Sequence, residues 1–512
     1  MKMIQLPLER GKHLTYPDSS QQGQCRRDWG GFNKNMFNYK TQPYEHQHEA
    51  LVRSHDKTNF AYFMEMGCGK SKVLLDNIVW LYEKNKIDTA IVVAPKGVYR
   101  NWETSEIPAH FPEQIPHEIY VWNPNPNKAT AKRLSGAVQK RGVLRILLVN
   151  VEGFATPKVQ KYLDLFTQGS SFILAIDEST TIKNPKAKRT KALVTLGGKA
   201  TFRRILTGSP VTKSPLDLFS QCEFLSKKLL GFQSYWSFQN RYAMTRTQRM
   251  GNHTFQQIIG YRNLPELTDK LATFSFRVTK EEALDLPNKI YTTREVALTD
   301  DQARHYNSLK SAAIALLEDG ELVTASEVMT KLLRMQQVLC GHIRTDDGDL
   351  VEIKNNRIQS MLDTIDEMSG KVIIWSRFRY DIKKIVETLK KVHGPGSVVS
   401  YFGDTTDEER QEAIRSFQHG EARFFVGNPQ TAGYGLTLTA ANNVIYYAND
   451  YNLETRMQSE DRCHRIGQES SVLYVDLVTP GTVDINIAKA LQQKINLAGA
   501  TLGEEVKKWL QV

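Results

Sequence analysis

The chain has 512 residues, 40% of them hydrophobic and 24% charged, the make-up of a globular protein with roughly two to four domains. Lys and Arg number 67 against 56 Asp and Glu, a formal net charge of +11, so a polyanionic partner is expected. Cys25, Cys68, Cys222, Cys340 and Cys463 form no CxxC pair, and there is neither a signal-peptide core nor a run of about eighteen apolar residues. A structural zinc, a disulfide framework and a membrane span are therefore not expected, and a cytoplasmic location is.

The first 35 residues, rich in Pro, Ser and Gln, read as a flexible or wrapping arm. Phe60-Ala-Tyr-Phe63 reads as a strand, Met64-Glu-Met-Gly-Cys-Gly-Lys-Ser71 as a loop, and the amphipathic run from Val73 to Tyr82 as a helix. Such an order makes a phosphate cradle. Gly67 and Gly69 let backbone N–H groups approach phosphate oxygens, with Met66 and Cys68 completing the loop. Lys70 would reach the β- and γ-phosphates of ATP, and the Ser71 hydroxyl would ligate Mg²⁺. Met64 stands where the usual spacing has its first glycine.

Further strands are expected at residues 90–94, 146–150, 173–177 and 204–207. The third of these ends in Asp177-Glu178. There the aspartate would hold the metal, and the glutamate would orient the attacking water as general base. The segment between about 281 and 356 reads as mainly helical, broken at Leu286-Pro287 and at Asp346–Gly348. A second set of strands follows at 372–376, 398–401, 423–427, 444–447 and 474–477. Strand alternating with helix, twice over, predicts two α/β lobes with parallel sheets. The first spans about 36–280 with a helical insertion near 220–275, and the second 357–512, ending in a helical brace. Within the second, Gln458-Ser-Glu-Asp-Arg-Cys-His-Arg-Ile-Gly-Gln468 sets Arg462 and Arg465 three residues apart, on one helical face if the run is helical. Such a pair is a cationic clamp for a transferring phosphoryl group, which puts ATP in the cleft between the lobes.

Two stretches carry no acid. Residues 179–216 hold Lys183, Lys186, Lys188, Arg189, Lys191, Lys199, Arg203, Arg204 and Lys213. Residues 224–265 hold six basic residues interleaved with Phe232, Tyr235, Trp236, Phe238, Tyr242, Phe255 and Tyr261. The charge suits phosphate neutralisation, while most of the aromatics are expected to pack a helical insertion.

Taken together these residues resemble helicase superfamily two and, within it, the Swi/Snf family of double-stranded DNA translocases, over roughly residues 40 to 500. Ala94-Pro-Lys-Gly-Val-Tyr-Arg-Asn-Trp102 looks like the first DNA-contact motif, and Leu206-Thr-Gly-Ser-Pro210 like the coupling motif. Phe276-Arg-Val-Thr-Lys280 with Leu286-Pro-Asn-Lys289 is similar to the inter-lobe signature, and Leu333-Arg-Met-Gln-Gln-Val-Leu-Cys-Gly-His342 to the helical protrusion. Gly433-Tyr-Gly-Leu-Thr-Leu-Thr439 and His464-Arg-Ile-Gly-Gln468 are the most specific.

The resemblance implies two tandem RecA-like lobes and a DNA-dependent ATPase using ATP and Mg²⁺. Gln47 would read the adenine edge, Gly435 and Gln458 would attend the nucleotide, and Arg462 and Arg465 would act as arginine fingers. Duplex DNA would meet Pro95, Lys96, Gly97, Gly153, Phe154, Ser376, Arg377 and Thr431. Thr180, Thr207, Gly208 and Ser209 would couple hydrolysis to those contacts. Thr180 departs from the family's histidine, Ser209 from its common threonine, and Tyr451-Asn-Leu453 from Trp-Asn-Pro. With no room for accessory domains, the pattern matches a stand-alone bacterial or phage-like monomer. The expected function is movement along duplex DNA, displacing or remodelling bound proteins or DNA structures. A strand-separating helicase and an ATP-gated clamp or annealing scaffold with little turnover are the alternatives.

Overall fold

The computed structural model describes residues 39–487, apart from 97, 213, 251–252, 319–324, 345–348, 406, 433–435, 451 and 486. The arm, most of the C-terminal brace, Gly97 and Gly435 lie outside the described residues. The strands of the first half are β1 (Asn59–Met64), β2 (Thr89–Ala94), β3 (His117–Val121), β4 (Leu144–Asn150), β5 (Phe172–Asp177), β6 (Phe202–Leu206), β7 (Ala243–Met250), β8 (His253–Tyr261) and β9 (Ser275–Val278). Those of the second half are β10 (Lys289–Glu295), β11 (His342–Arg344), β12 (Leu350–Glu352), β13 (Lys371–Trp375), β14 (Val398–Tyr401), β15 (Phe424–Gly427), β16 (Ala441–Tyr446) and β17 (Val472–Val478).

They build two parallel sheets, ordered β3-β4-β2-β5-β6-β1-β9 and β10-β17-β16-β13-β15-β14. A parallel sheet is covered by helices on both faces, which is why β2 and β5 are buried along their whole length and read as unbroken apolar runs. The expected pair of α/β lobes is what the chain builds. Register then sets the site: Leu206 pairs with both Asp177 and Tyr62. The carboxyl ends of β5, β6 and β1 therefore lie side by side, and the acid pair, the coupling motif and the glycine loop leave the sheet at one edge.

Two expectations need correction. The insertion is not wholly helical: β7 and β8 pair as an antiparallel ribbon between helices Tyr235–Tyr242 and Leu264–Ala272. Its Phe232, Phe238 and Tyr242 do pack together, with ring centroids 4.9–5.6 Å apart, but Trp236 is 62% exposed. The segment between about 281 and 356 carries helices Asp300–Glu318 and Ala325–Leu339, and ahead of them the strand β10, paired in register with β17 from Lys289↔Val472 to Glu295↔Val478. Finally, Arg204, counted within an acid-free basic stretch, is fully buried. Its guanidinium donates to Asn77 Oδ1 (2.9 Å) and to the Ser54 carbonyl (2.8 Å), so it holds helices to the sheet and is not available to DNA.

Candidate nucleotide site and nucleic-acid face

The loop between β1 and α2 (Lys70–Glu83) turns through two left-handed glycines, Gly67 at φ 85° and Gly69 at φ 82°. A side chain is disfavoured at either position by the backbone alone. A Cβ on Gly69 would also stand 2.2 Å from Gln47 Nε2. Gln47, on α1 (Glu45–Ser54), is docked here by donating to the Cys68 carbonyl (3.1 Å) while accepting the Tyr44 N–H (3.1 Å). No side chain caps α2, so its leading N–H groups face the loop as an anion site. Lys70 is buried and donates to the carbonyls of Met64 (3.0 Å) and Glu65 (3.4 Å). Burial pushes the Cys68 thiol up to about 11, so it fills space as a neutral group.

On the opposite wall, Glu178 adopts φ 51°, a left-handed turn uncommon outside glycine. The turn swings its carboxylate off the strand line to within 3.4 Å of the Thr207 hydroxyl. Asp177 accepts from the Glu178 N–H (3.0 Å) and from the Trp102 indole (3.1 Å). Its burial pushes the carboxyl up, against the pull of Lys70. Glu106 adds a second carboxylate, brought in by the π-helical turn Trp102–Glu106. It accepts a hydrogen bond from Ser71; burial and then the Asp177 charge raise its pKa, while Ser71, Arg465 and Lys70 oppose. A hydroxyl and two carboxylates meeting at one point are a hard-oxygen donor set, so these residues fit Mg²⁺. Trp102 and Glu106 were not read as site residues. Trp102, the last residue of the quoted DNA-contact motif, with an acid one helical turn beyond it is the available signal.

The second lobe closes the site. Here α3 (Leu453–Glu460) stops at Glu460, so Arg462 and Arg465 lie in the turns beyond it and do not share a helical face. Both guanidiniums donate to the Leu436 carbonyl at 3.3 Å. Arg462 is buried and also donates to the Gln458 carbonyl (2.8 Å), while Gln458 is itself buried. Arg465 also lies against the first lobe: its Cβ is 3.2 Å from where a Gly67 Cβ would stand. Burial lowers the Arg465 pKa, with Glu106 and Asp461 opposing.

Two contacts tie this arm to the first lobe. The Lys280 ammonium is paired with Asp461 and donates to the His464 carbonyl (2.6 Å), while its backbone N–H donates to Glu65 of the glycine loop (2.8 Å). The Ser209 hydroxyl lies 3.7 Å from Met457 Sδ. Gly208 touches the loop directly, since a Cβ there would come within 2.9 Å of Met66 N. Thus Gln47, Met66–Ser71, Asp177, Glu178, Thr207–Ser209 and Arg465 are brought together. Thr180 is buried beside the acid pair.

The expected DNA positions are more scattered. Lys96 is exposed at the end of β2, its N–H directed to the Glu152 carboxylate (3.4 Å), and Pro95 beneath it is buried. Gly153 is half-buried, but the Phe154 ring belongs to the core and cannot reach a phosphate. Ser376 is fully buried, with its hydroxyl on Asp381 (3.0 Å) and its N–H donated to the Gly427 carbonyl (3.0 Å), so it is not open to DNA here. Arg377 donates to Gln336 (2.8 Å) and stands 3.6 Å from Asp450. The Thr431 N–H is turned inward to the Asn428 carbonyl (3.1 Å). Beside Phe154, a groove of about 500 Å³ is lined by Lys188, Lys191 and the ion pair of Lys199 with Asp164 (2.7 Å).

A family profile for the SNF2-related domain matches residues 46–343, and one for the helicase conserved C-terminal domain matches residues 354–467. The chain is 27% identical over 448 residues to the DNA annealing helicase and endonuclease ZRANB3 of Bos taurus, covering 87% of this chain and 39% of that protein. It is 24% identical over 448 residues to the uncharacterized ATP-dependent helicase MG018 of Mycoplasma genitalium, covering 86% and 40%. The chain thus spans about two fifths of the length of these curated relatives. Among solved structures it is similar to the Sulfolobus solfataricus SWI2/SNF2 ATPase core in complex with dsDNA, at 22% identity and a TM-score of 0.41, covering 92% of this chain and 97% of that one.

Proposed function

This chain belongs to the SNF2-related family of ATP-dependent helicases, and from that premise we propose that it is a motor that moves along duplex DNA without separating the strands. The observation that carries the reading is the approach of Arg465, from one lobe, to Gly67 of the phosphate loop in the other. Hydrolysis at such a junction reports directly on whether the lobes are closed.

In this reading the loop N–H groups and Lys70 bind the phosphates, and Gln47, docked on Cys68, lines the base side. Ser71 and Asp177 would hold Mg²⁺, with Glu106 beside them; the metal would supply charge neutralisation at the phosphate oxygens. Glu178 would orient water and take its proton, its carboxylate positioned by Thr207. Arg465 acts as the arginine finger, an element that contributes about 10³–10⁵ in rate where it is present. Arg462 supports it by holding the Leu436 carbonyl in place. The coupling path runs from Glu178 through Thr207, Gly208 and Met66, and from Ser209 to Met457 in the other lobe. Lys96, Gly153 and the lysines of the adjoining groove supply contacts for the DNA backbone, and displacement of bound proteins or remodelling of DNA structures is the outcome of the movement.

The deciding experiment measures ATPase rate against duplex DNA, single strands and RNA, with Lys70→Ala as the inactive control. Strong stimulation by duplex alone is expected, and no stimulation above the DNA-free rate sinks the proposal. A triplex-displacement assay beside a forked-duplex unwinding assay then separates the readings: signal in the first only is expected of a translocase.

A further inference from the structure

The β7–β8 ribbon has no role in the chemistry above, yet it is the least explained surface of the chain. Its register runs Arg246↔Gln257, Thr247↔Gln256, Gln248↔Phe255 and Arg249↔Thr254. Paired residues share a face and successive residues alternate. Arg246, Gln248 and Gln257 therefore take one face, and Thr247, Arg249, Thr254 and Gln256 the other. Residues 244–249 of β7 are all exposed, as are Thr254, Gln256, Gln257 and Ile259 of β8. Beyond the base, where Ile258 packs against the first-lobe core, both faces of the ribbon therefore carry exposed side chains among the described residues. A two-stranded ribbon that projects past its anchored base with so little of it buried is marginal by itself, so its outer part is suited to being covered by something other than the chain's own core.

The base of the ribbon is anchored. Tyr242 is fully buried with its hydroxyl on Glu266 (3.0 Å), Arg262 Nη2 donates to the Asn240 carbonyl (2.7 Å), and Asn263 Nδ2 to the Arg241 carbonyl (2.9 Å). Force on the ribbon would pass directly to the first lobe.

Its chemistry selects the partner. There is no Asp or Glu from Phe224 to Pro265, and apart from Met244 and Ile259 towards the base the exposed described residues present guanidiniums, primary amides and hydroxyls. These groups contact phosphates and base edges, and the major groove of B-DNA admits a two-stranded β-ribbon. A basic protein surface would be repelled, and an apolar one would leave the amides unsatisfied. We propose that the β7–β8 ribbon lies in a groove of the duplex on which the motor moves, a second contact separate from the lobe motifs; this rests on the duplex-DNA reading.

The test uses the full chain, an Arg246→Ala/Arg249→Ala double variant, and a variant in which Met244 is joined to Ile259 by a two-residue turn. Binding to a 30-base-pair duplex, an arbitrary probe of about three helical turns, is followed by fluorescence anisotropy over a range of salt. The double variant should bind about 10–100-fold more weakly at ~0.1 M salt, with the salt slope reduced by about 2. DNA-free ATPase and nucleotide affinity should be unchanged, which shows that the variant is folded. A photo-crosslinker at Thr247 should attach to DNA. Unaltered affinity and salt slope, or crosslinks to protein alone, overturn the ribbon proposal while leaving the motor intact. Loss of triplex displacement with duplex affinity and salt slope unchanged makes the ribbon an element of movement without a duplex contact and likewise overturns it. If duplex fails to stimulate the wild-type ATPase, it is the functional reading that falls.

Discussion

Replacing Asp461 by Asn removes the carboxylate that pairs with Lys280, where both side chains are almost wholly buried, at 4% and 5% exposure. The ammonium keeps the His464 carbonyl at 2.6 Å but loses its charge partner, and burial already lowers its pKa. Lys289, whose ammonium lies 3.8 Å from Asp461, then confronts Lys280 with one fewer anion between them. Breaking one side of a buried ion pair costs about 3–5 kcal/mol, and release of the Lys280 proton limits the loss to the lower end. At about 2–4 °C per kcal/mol for a lobe of this size, the melting midpoint should fall by about 6–12 °C. The Lys280 chain also packs near Gly67, a Cβ there standing 3.4 Å from Lys280 Cε, so looser pairing should lower the ATPase rate as well. The assay is calorimetric melting of Asp461→Asn, Lys280→Met and the double variant. Removing both charges should recover most of the loss, because an apolar replacement of a buried pair is close to neutral. Additive single effects, or a loss under about 1 kcal/mol for Asp461→Asn, would refute the idea that this pair ties the arginine arm to the first lobe.

The two arginines should separate in their effects. Arg465→Ala should lower ATPase turnover by about 10³-fold or more with little change in melting, whereas Arg462→Ala, which strips a buried guanidinium from two carbonyls, should cost about 1–3 kcal/mol of stability, read by melting and steady-state kinetics together. Gly69→Ala should weaken ATP binding by at least about tenfold in a fluorescent-nucleotide titration, since the new Cβ collides with Gln47 and the left-handed backbone costs about 1–2 kcal/mol; wild-type affinity would contradict the cradle. For pH, desolvation opposes ionisation of Glu460, but Lys289 and Arg456 hold its carboxyl down at about 2, below its ordinary value of 4.5. A folded-state value below the unfolded one contributes stability that is complete above about pH 4.5 and is lost as the pH falls towards 2, so acid unfolding in that window should flatten in Glu460→Gln.

Much of the site could be read from local sequence because its chemistry is local. Strand, glycine loop, lysine and serine fall within one contiguous stretch, and the acid pair follows its own strand. The strands at the centre of both sheets announced themselves as apolar runs because helices cover them on both sides. The edges were harder: β10 finds its partner β17 about 180 residues away, and nothing within Lys289–Glu295 declares that pairing. Trp102 meets Asp177 across 75 residues, and Lys280 meets Asp461 across 181. Charge counting placed Arg204 with the DNA contacts, because a count does not see which side of a strand a residue faces. The polar insertion read as helical, yet residues 243–261 take up the alternation of a ribbon.

The sequence by itself determined the class of chemistry, since phosphate binding requires particular residue types at short fixed spacings and those spacings survive any fold. Tertiary structure alone decided which of the two arginines lies against the phosphate loop. Ending α3 at Glu460 turns Arg462 into its own lobe and lays Arg465 against Gly67. That outcome depends on the packing of two lobes against each other, a sum of contacts between residues too far apart in the chain for any local pattern to record.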